Sequence, residues 1–307
     1  MRIMTANEVI ESTGLNVLIY GEPGIGKTTL ANTAPNAIVL DFDKGCHRAS
    51  YQQRVVQFDS WQDLLQSKNE LDALLTNCDT VIVDTVGTLL DSINQHLVDT
   101  QPLLAKNSIK LWGELKKTFN EFFSPLRAMN KNLIFIAHAK EKDEGDVRIK
   151  RPLIQGSSYD LLMQTCDLIG YYAMKNNIRT LTFDLSDTIT AKNCAGLEPI
   201  QIRSLESMPD LMSQLLDKTR ASLNKRSERQ SESLKIIREW TSKAKKLSTD
   251  AKLSGKQIAS FMESLKKTSA DFPSGTSTAI WASIKPIFES VGFEWDAELQ
   301  SFNKQAE

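Results

Sequence analysis

The sequence has few cysteines and no way to use them in pairs. Cys46, Cys78, Cys166 and Cys194 lie far apart with no Cys-x-x-Cys spacing, which argues against a zinc site or a disulfide framework and favours reduced thiols. Long apolar runs are also missing. No stretch approaches the ~18 residues needed to span a bilayer, and the opening "MRIMTANEVIESTG" has no long apolar core followed by a cleavage site. A soluble, cytoplasmic protein with no membrane partner is expected. Charge of one sign is lacking too: 37 Lys and Arg face 38 Asp and Glu, a formal net charge of -1. That excludes a globally basic nucleic-acid binder, so any DNA contact must be local. No Asn-Lys-x-Asp guanine motif and no internal repeat occurs.

What is present begins at "GEPGIGKTT". Gly21, then Glu22, Pro23, Gly24 and Ile25, then Gly26, Lys27, Thr28 and Thr29 fit the P-loop spacing. In that motif, backbone N–H groups of a glycine-rich turn close around the phosphates of a nucleotide. Lys27 would reach phosphate oxygens and Thr28 would place its hydroxyl on Mg²⁺, with the helix dipole pointing at the anion. The preceding "LNVLIY" reads as a strand, and the following "TTLANTA" is helix-compatible as far as Pro35. ATP and Mg²⁺ are the expected ligands. P-loops grip phosphates, so the base itself is not read from the motif.

Apolar runs then alternate with helical stretches, as in a parallel sheet wrapped by helices. "AIVLDFD" (37–43), "TVIVD" (80–84) and "NLIFIAH" (132–138) read as strands, "WQDLLQSKNELDALL" and residues 107–129 as helices. "AKEKDEGDVRIKRPLIQGSS" has the glycine, proline and charge density of a loop or hairpin, and "DLIGYYAM" and "RTLTFDL" complete the sheet. From about residue 206 the pattern changes to helix rich in Lys, Ser and Glu. The expected domains are 1–205, an α/β ATP-binding core, and 206–307, a helical C-terminal region.

Asp84 closes "TVIVD" in the Walker B manner, where a strand-end carboxylate serves the Mg²⁺ shell. Thr85 follows it, so enzymes that keep a water-activating Glu directly after that Asp are disfavoured. A general base must come from elsewhere. Asp41 and Asp43, two residues apart in "VLDFDKG" and so on one side of an extended strand, supply two candidates.

Together with His138 ending the strand after Walker B, these features resemble the RecA/RadA ATPase core, a mostly parallel sheet flanked by helices. "LIYGEPGIGKTTLANTAPN", "DFDKG", "VIVDTVGTL", "IFIAHAKEKDE" and "AKNCAGL" are similar to phage-encoded RecA-like proteins of the Sak-type single-strand-annealing family. The resemblance covers roughly residues 12–200. It implies ATP hydrolysis stimulated by DNA, binding of single-stranded DNA, annealing or recombination, and residence in the host cell cytoplasm. It also implies a homo-oligomer and a single-stranded-DNA-binding protein as a further partner. The family's second-strand acid matches Asp43, one methylene shorter than the usual Glu. His138 takes the γ-phosphate sensor position, and the loop behind it, with Lys140, Lys142, Arg148, Lys150 and Arg151, takes the DNA-binding position. Glu141, Asp143, Glu144 and Asp146 lie beside those cations. In "TAKNCAG", Lys192 matches a lysine that points at a neighbouring subunit's ATP, while Cys194 and Ala195 replace the family's Arg and Phe.

Residues 217–250 hold ten Lys or Arg against five Asp or Glu, which suits either a solvated helix face or a nucleic-acid contact. Trp281, Phe288, Phe293 and Trp295 read as a helical cap whose aromatics pack a small core. Two alternative functions remain: a nucleotide-switched loader or partition-type ATPase, and a small-molecule P-loop kinase. Partition-type enzymes carry a second lysine early in the P-loop, where Glu22 stands here.

Overall fold

The computed structural model describes residues 14–51, 53–250, 252–296 and 301–304. The chain opens with β1 (Asn16–Gly21), which runs through the P-loop into α1 (Lys27–Ala31). Next come β2 (Ala37–Asp41), a short 3-10 turn (Cys46–Arg48) and β3 (Arg54–Gln57). The stretch read as one helix is two, α2 (Trp61–Gln66) and α3 (Lys68–Thr76). Ser67 closes the first and opens the second. β4 (Thr80–Asp84) follows, then α4 (Val86–Thr100), α5 (Pro102–Ala105) and α6 (Ser108–Ala128). Thr85 caps α4 by accepting from Thr88 N–H, and Asn107 caps α6 by accepting from Lys110 N–H.

β5 (Asn132–Glu144) and β6 (Val147–Pro152) form a hairpin, followed by α7 (Gly156–Thr165), β7 (Leu168–Lys175) and β8 (Ile178–Thr182). β9 (Lys192–Asn193) and β10 (Ile200–Ile202) complete the sheet. α8 (Leu211–Ser248), α9 (Gly255–Thr268), α10 (Thr276–Glu289), β11 (Phe293–Asp296) and β12 (Ser301–Lys304) make up the rest.

The sheet order is β10-β8-β7-β1-β5-β4-β2-β3, parallel from β7 to β3 and antiparallel where β8 and β10 extend one edge. β5 therefore separates the P-loop strand from the Asp84 strand. This is an α/β P-loop architecture: a mostly parallel sheet with helices on both faces. Its central strands are apolar throughout because both faces are covered. Leu18 and Tyr20 of β1 face a core built with Trp61, Phe119 and Phe123, while Val17 and Ile19 face another with Leu30 and Leu215. The register sets Gly21 beside His138 and Asp41 beside Asp84. Gly21, Asp41 and Asp84 end their strands, and His138 ends the parallel-paired part of β5, which runs on to Glu144 rather than stopping at His138. All four lie along the carboxyl edge, where ligands bind in open α/β sheets.

Two compact units divide between Leu223 and Asn224, within α8. The pattern change near residue 206 falls in the link between β10 and α8. The first unit runs further because Leu211, Met212, Leu215 and Leu216 at the start of α8 are buried in its core. In the second unit Trp240, Ile258, Ile284, Phe288 and Phe302 form the core, and the Trp281 and Trp295 rings meet edge-on at 4.5 Å. The reading of a purely helical cap is corrected by the β11–β12 hairpin, whose Phe293 and Phe302 are buried. No helix among the described residues is long and apolar enough to cross a membrane.

Candidate nucleotide-binding site

The P-loop is shaped by two different uses of glycine. Gly24 and Gly26 have φ of 73° and 100°, left-handed conformations that side chains avoid, although a Cβ at either would meet nothing within 4 Å. Gly21 is required by space: a Cβ there would lie 2.1 Å from the Tyr172 carbonyl oxygen of β7. Lys27 is 6% exposed, and its Nζ donates to the Gly21 and Glu22 carbonyls at 3.0 and 2.9 Å. Burial pushes its pKa down, opposed by the nearby Asp84. Thr28 Oγ1 donates to Asp84 Oδ2 at 2.6 Å.

A cleft of about 280 Å³ opens here, bounded by Pro23, Gly24, Gly26 and Lys27–Thr29 on one side and by Asp43, Asp84 and His138 on the other. Three residues expected to hold nucleotide do not line it. Gly21 and Glu22 offer their carbonyls to Lys27, while Ile25 is buried in the core and accepts at its carbonyl from Arg179 Nε at 3.0 Å.

The two candidate bases are not equivalent. The expectation that Asp41 and Asp43 share one side of a strand is overturned, because β2 ends at Asp41. Asp41 is 2% exposed, and its carboxylate accepts from the N–H groups of Gly45 and Cys46 at 3.4 and 3.3 Å. It holds the turn after β2. Asp43 lies beyond the strand, exposed and lining the cleft. Its backbone N–H and that of Phe42 both donate to the Asp84 carbonyl, at 3.2 and 2.7 Å. Asp84 is buried, and desolvation pushes its pKa up to about 6; the Thr28 hydrogen bond opposes this, while Asp41 and Asp43 add to it. The Cys46 thiol, 3.9 Å from Asp84, is pushed upward mainly by burial.

His138 also lines the cleft, with its Nδ1 buried and lacking a partner among the described residues. Burial and the neighbouring Lys27 lower its pKa. An orphaned buried nitrogen, an open glycine cradle and the Thr28–Asp84 oxygen pair fit a phosphate-bearing ligand and its cation. Among the described residues no three His, Cys, Asp or Glu side chains cluster to hold a metal, so a cation here would share its shell with phosphate oxygens.

A family model described as an AAA domain matches residues 13–195, more than half of the chain. The chain belongs to this family. No curated protein matches it. A KaiC-like protein from the hyperthermophilic archaeon Pyrococcus horikoshii OT3 is similar in structure at 14% identity and a TM-score of 0.33, covering 57% of this chain and 86% of that one.

Beyond its nucleotide cleft, this AAA domain prolongs β5 from His138 into the hairpin with β6. Alternation along the strands puts Glu141, Asp143, Arg148 and Lys150 on one face and Lys140, Lys142 and Arg151 on the other. Arg148 lies 3.5 Å from Glu141 and 3.2 Å from Asp143, and Lys150 lies 3.7 Å from Glu141. Lys142 pairs with Glu144. Arg151 sits 5.2 Å from the Tyr159 ring centre, and desolvation with the nearby Arg151 and Lys142 charges lowers the pKa of Lys140. The five cations expected to act together are therefore split between two faces, one of them neutralised.

Lys192 does not line the cleft. Its Nζ donates to the Met163 and Gln164 carbonyls at 3.3 and 3.0 Å, closing the C-terminal end of α7. Sequence reasoning missed Gly45, Arg48, Ala49 and Thr85, which line the cleft, and Arg179, which props the P-loop from β8. Gly45 and Thr85 stand inside "DFDKG" and "VIVDTVGTL" without a role having been assigned to them, and Arg48, Ala49 and Arg179 lie in no recognisable motif.

Proposed function

We propose that this AAA-domain protein hydrolyses ATP and couples the nucleotide state to binding of single-stranded DNA, promoting annealing or recombination as a homo-oligomer. The observation that carries the reading is one continuous strand: β5 runs from His138 in the nucleotide cleft to a cation-bearing hairpin. Gly24, Gly26, Lys27 and Thr29 would hold the nucleotide phosphates, and Thr28 with Asp84 would hold Mg²⁺, which neutralises phosphate charge when bound. Lys27 would leave the Gly21 and Glu22 carbonyls for phosphate oxygens. Asp43, exposed at the cleft, would take the proton from an attacking water, while Asp41 keeps the turn beneath it in place.

Support for the DNA half is the unneutralised hairpin face with Lys140 and Arg151, suited to phosphate contacts without base reading. A single-stranded-DNA-binding protein is the further partner proposed with it. The neutralised Arg148–Glu141–Asp143 face favours one rival, a nucleotide-switched loader that meets a protein there. Phosphate release with and without single-stranded DNA separates the two: stimulation by DNA is expected, and its absence, with no DNA binding, selects the loader.

A further inference from the structure

We propose that Arg48 binds the terminal phosphate of the nucleoside triphosphate within its own subunit, its head lying above Gly45. The inference rests on the nucleotide-binding reading of the P-loop cleft and adds a triphosphate-discriminating residue to it.

Two Lys or Arg side chains among the described residues line the cleft, and they are in different states. Lys27 is held by two carbonyls. Arg48 is exposed, lines the cleft at the end of the 3-10 turn, and its charged end makes no hydrogen bond or ion pair among the described residues. A free guanidinium over a cleft is matched in charge and shape to a phosphate, which it can grip through two parallel N–H groups.

Gly45 shows where the head lies. Its backbone φ of -106° is open to any residue, so conformation does not demand glycine. Nor does space forbid a side chain, but it locates the head: a Cβ there would sit 2.9 Å from Arg48 Nη2 and 3.3 Å from Asp43 Oδ2, the far ends of two flexible side chains. The guanidinium and the Asp43 carboxylate thus approach the same point above Gly45. Arg48 shares that end of the cleft with the acid proposed to face the attacking water, which places it at the terminal phosphate.

The backbone beneath is fixed. Asp41 accepts from Gly45 and Cys46, Arg48 N–H donates to the Gly45 carbonyl at 3.0 Å, and Cys46 is buried. The turn anchors the Cα of Arg48 while leaving its long side chain free to swing. A residue so placed separates triphosphate from diphosphate, because only the triphosphate brings a charge to the point it reaches.

Calorimetric titration of the full chain with Mg²⁺ and either a non-hydrolysable ATP analogue or ADP tests this. Arg48→Ala is expected to weaken the analogue about tenfold or more while ADP stays within about twofold, the scale of one charged hydrogen-bonding contact. Gly45→Ala, which keeps the charge but crowds the head, should shift the same ratio less, and Arg48→Lys should restore part of it. An unchanged analogue-to-ADP ratio in Arg48→Ala overturns the proposal, whether both affinities persist or both fall together. Lys27→Ala keeps the two readings apart. Nucleotide binding by the wild type that Lys27→Ala abolishes upholds the P-loop reading whatever Arg48 does, whereas a wild type that binds neither nucleotide overturns both.

Discussion

The Thr28 hydroxyl donates to the Asp84 carboxylate at 2.6 Å, tying the first turn of α1 to the end of β4. The two oxygens that would serve one cation are already in contact, so little rearrangement is needed to bring them to it. Lys27→Ala is expected to abolish tight ATP binding, since it removes the lysine of the phosphate cradle. Asp84→Asn should lose Mg²⁺-dependent turnover with a milder loss of affinity. Equal ATP affinity in Lys27→Ala and wild type, measured by titration, would refute the P-loop assignment.

Asp84 also makes stability depend on pH. Its folded pKa, about 6, stands above the ordinary 3.8, so the fold favours the protonated acid. Its contribution is most favourable below about pH 4, weakens as pH rises toward 6, and then levels off at a cost of about 3 kcal/mol. In the absence of nucleotide, Asp84→Asn should therefore gain stability over wild type at neutral pH, and the gain should shrink between pH 6 and pH 4. Denaturant melts across that range check this; a difference independent of pH would show that the carboxylate is not destabilised by burial.

The division of labour between Asp41 and Asp43 gives opposite signatures. Asp43→Asn should keep its melting temperature and ATP affinity but lose hydrolysis by ~10² or more. Asp41→Ala leaves the Gly45 and Cys46 N–H groups without their acceptor, costing about 1–3 kcal/mol, and displaces the turn that carries Asp43. Thermal melts paired with phosphate release distinguish them. A larger hydrolytic loss in Asp41→Asn, at unchanged melting temperature, would make Asp41 the base.

On the hairpin, the double variant Lys140→Ala/Arg151→Ala should weaken single-stranded DNA binding more than Arg148→Ala/Lys150→Ala, whose cations are already paired with Glu141 and Asp143. Each lost phosphate contact should flatten the salt dependence by roughly 0.7 of a unit. Fluorescence anisotropy with labelled oligonucleotides across a salt series reads both effects, and the reverse ranking would put the contact on the other face.

The strand, turn and helix of residues 15–31 were legible because left-handed turns demand glycine at fixed positions, and β4 because a strand buried on both faces is apolar throughout. What stayed hidden depended on partners distant in sequence. Asp41 and Asp43 look alike until β2 stops between them. The hairpin cations look like one patch until pairing assigns each to a face. Lys192 looks like an outward-reaching lysine until the carbonyls of α7 receive it. Arg48 belongs to no motif, and only its place in the cleft, with its head over Gly45, singles it out. β11 and β12 were too short and too aromatic to separate from a packed helix by periodicity.

β1 finds its neighbours late in the chain: Val17 pairs with Ile134 on one side and Leu168 on the other, and Gly21 rests against the Tyr172 carbonyl. Such distant pairings slow folding, because long loops must close before the contacts repay them. The P-loop residues leave the ribosome before β5 and β7 do, so the wall behind them is absent until β7 has emerged. Nucleotide capture by a nascent chain is thus a mark of completion, acquired when the strand that backs the loop has been made.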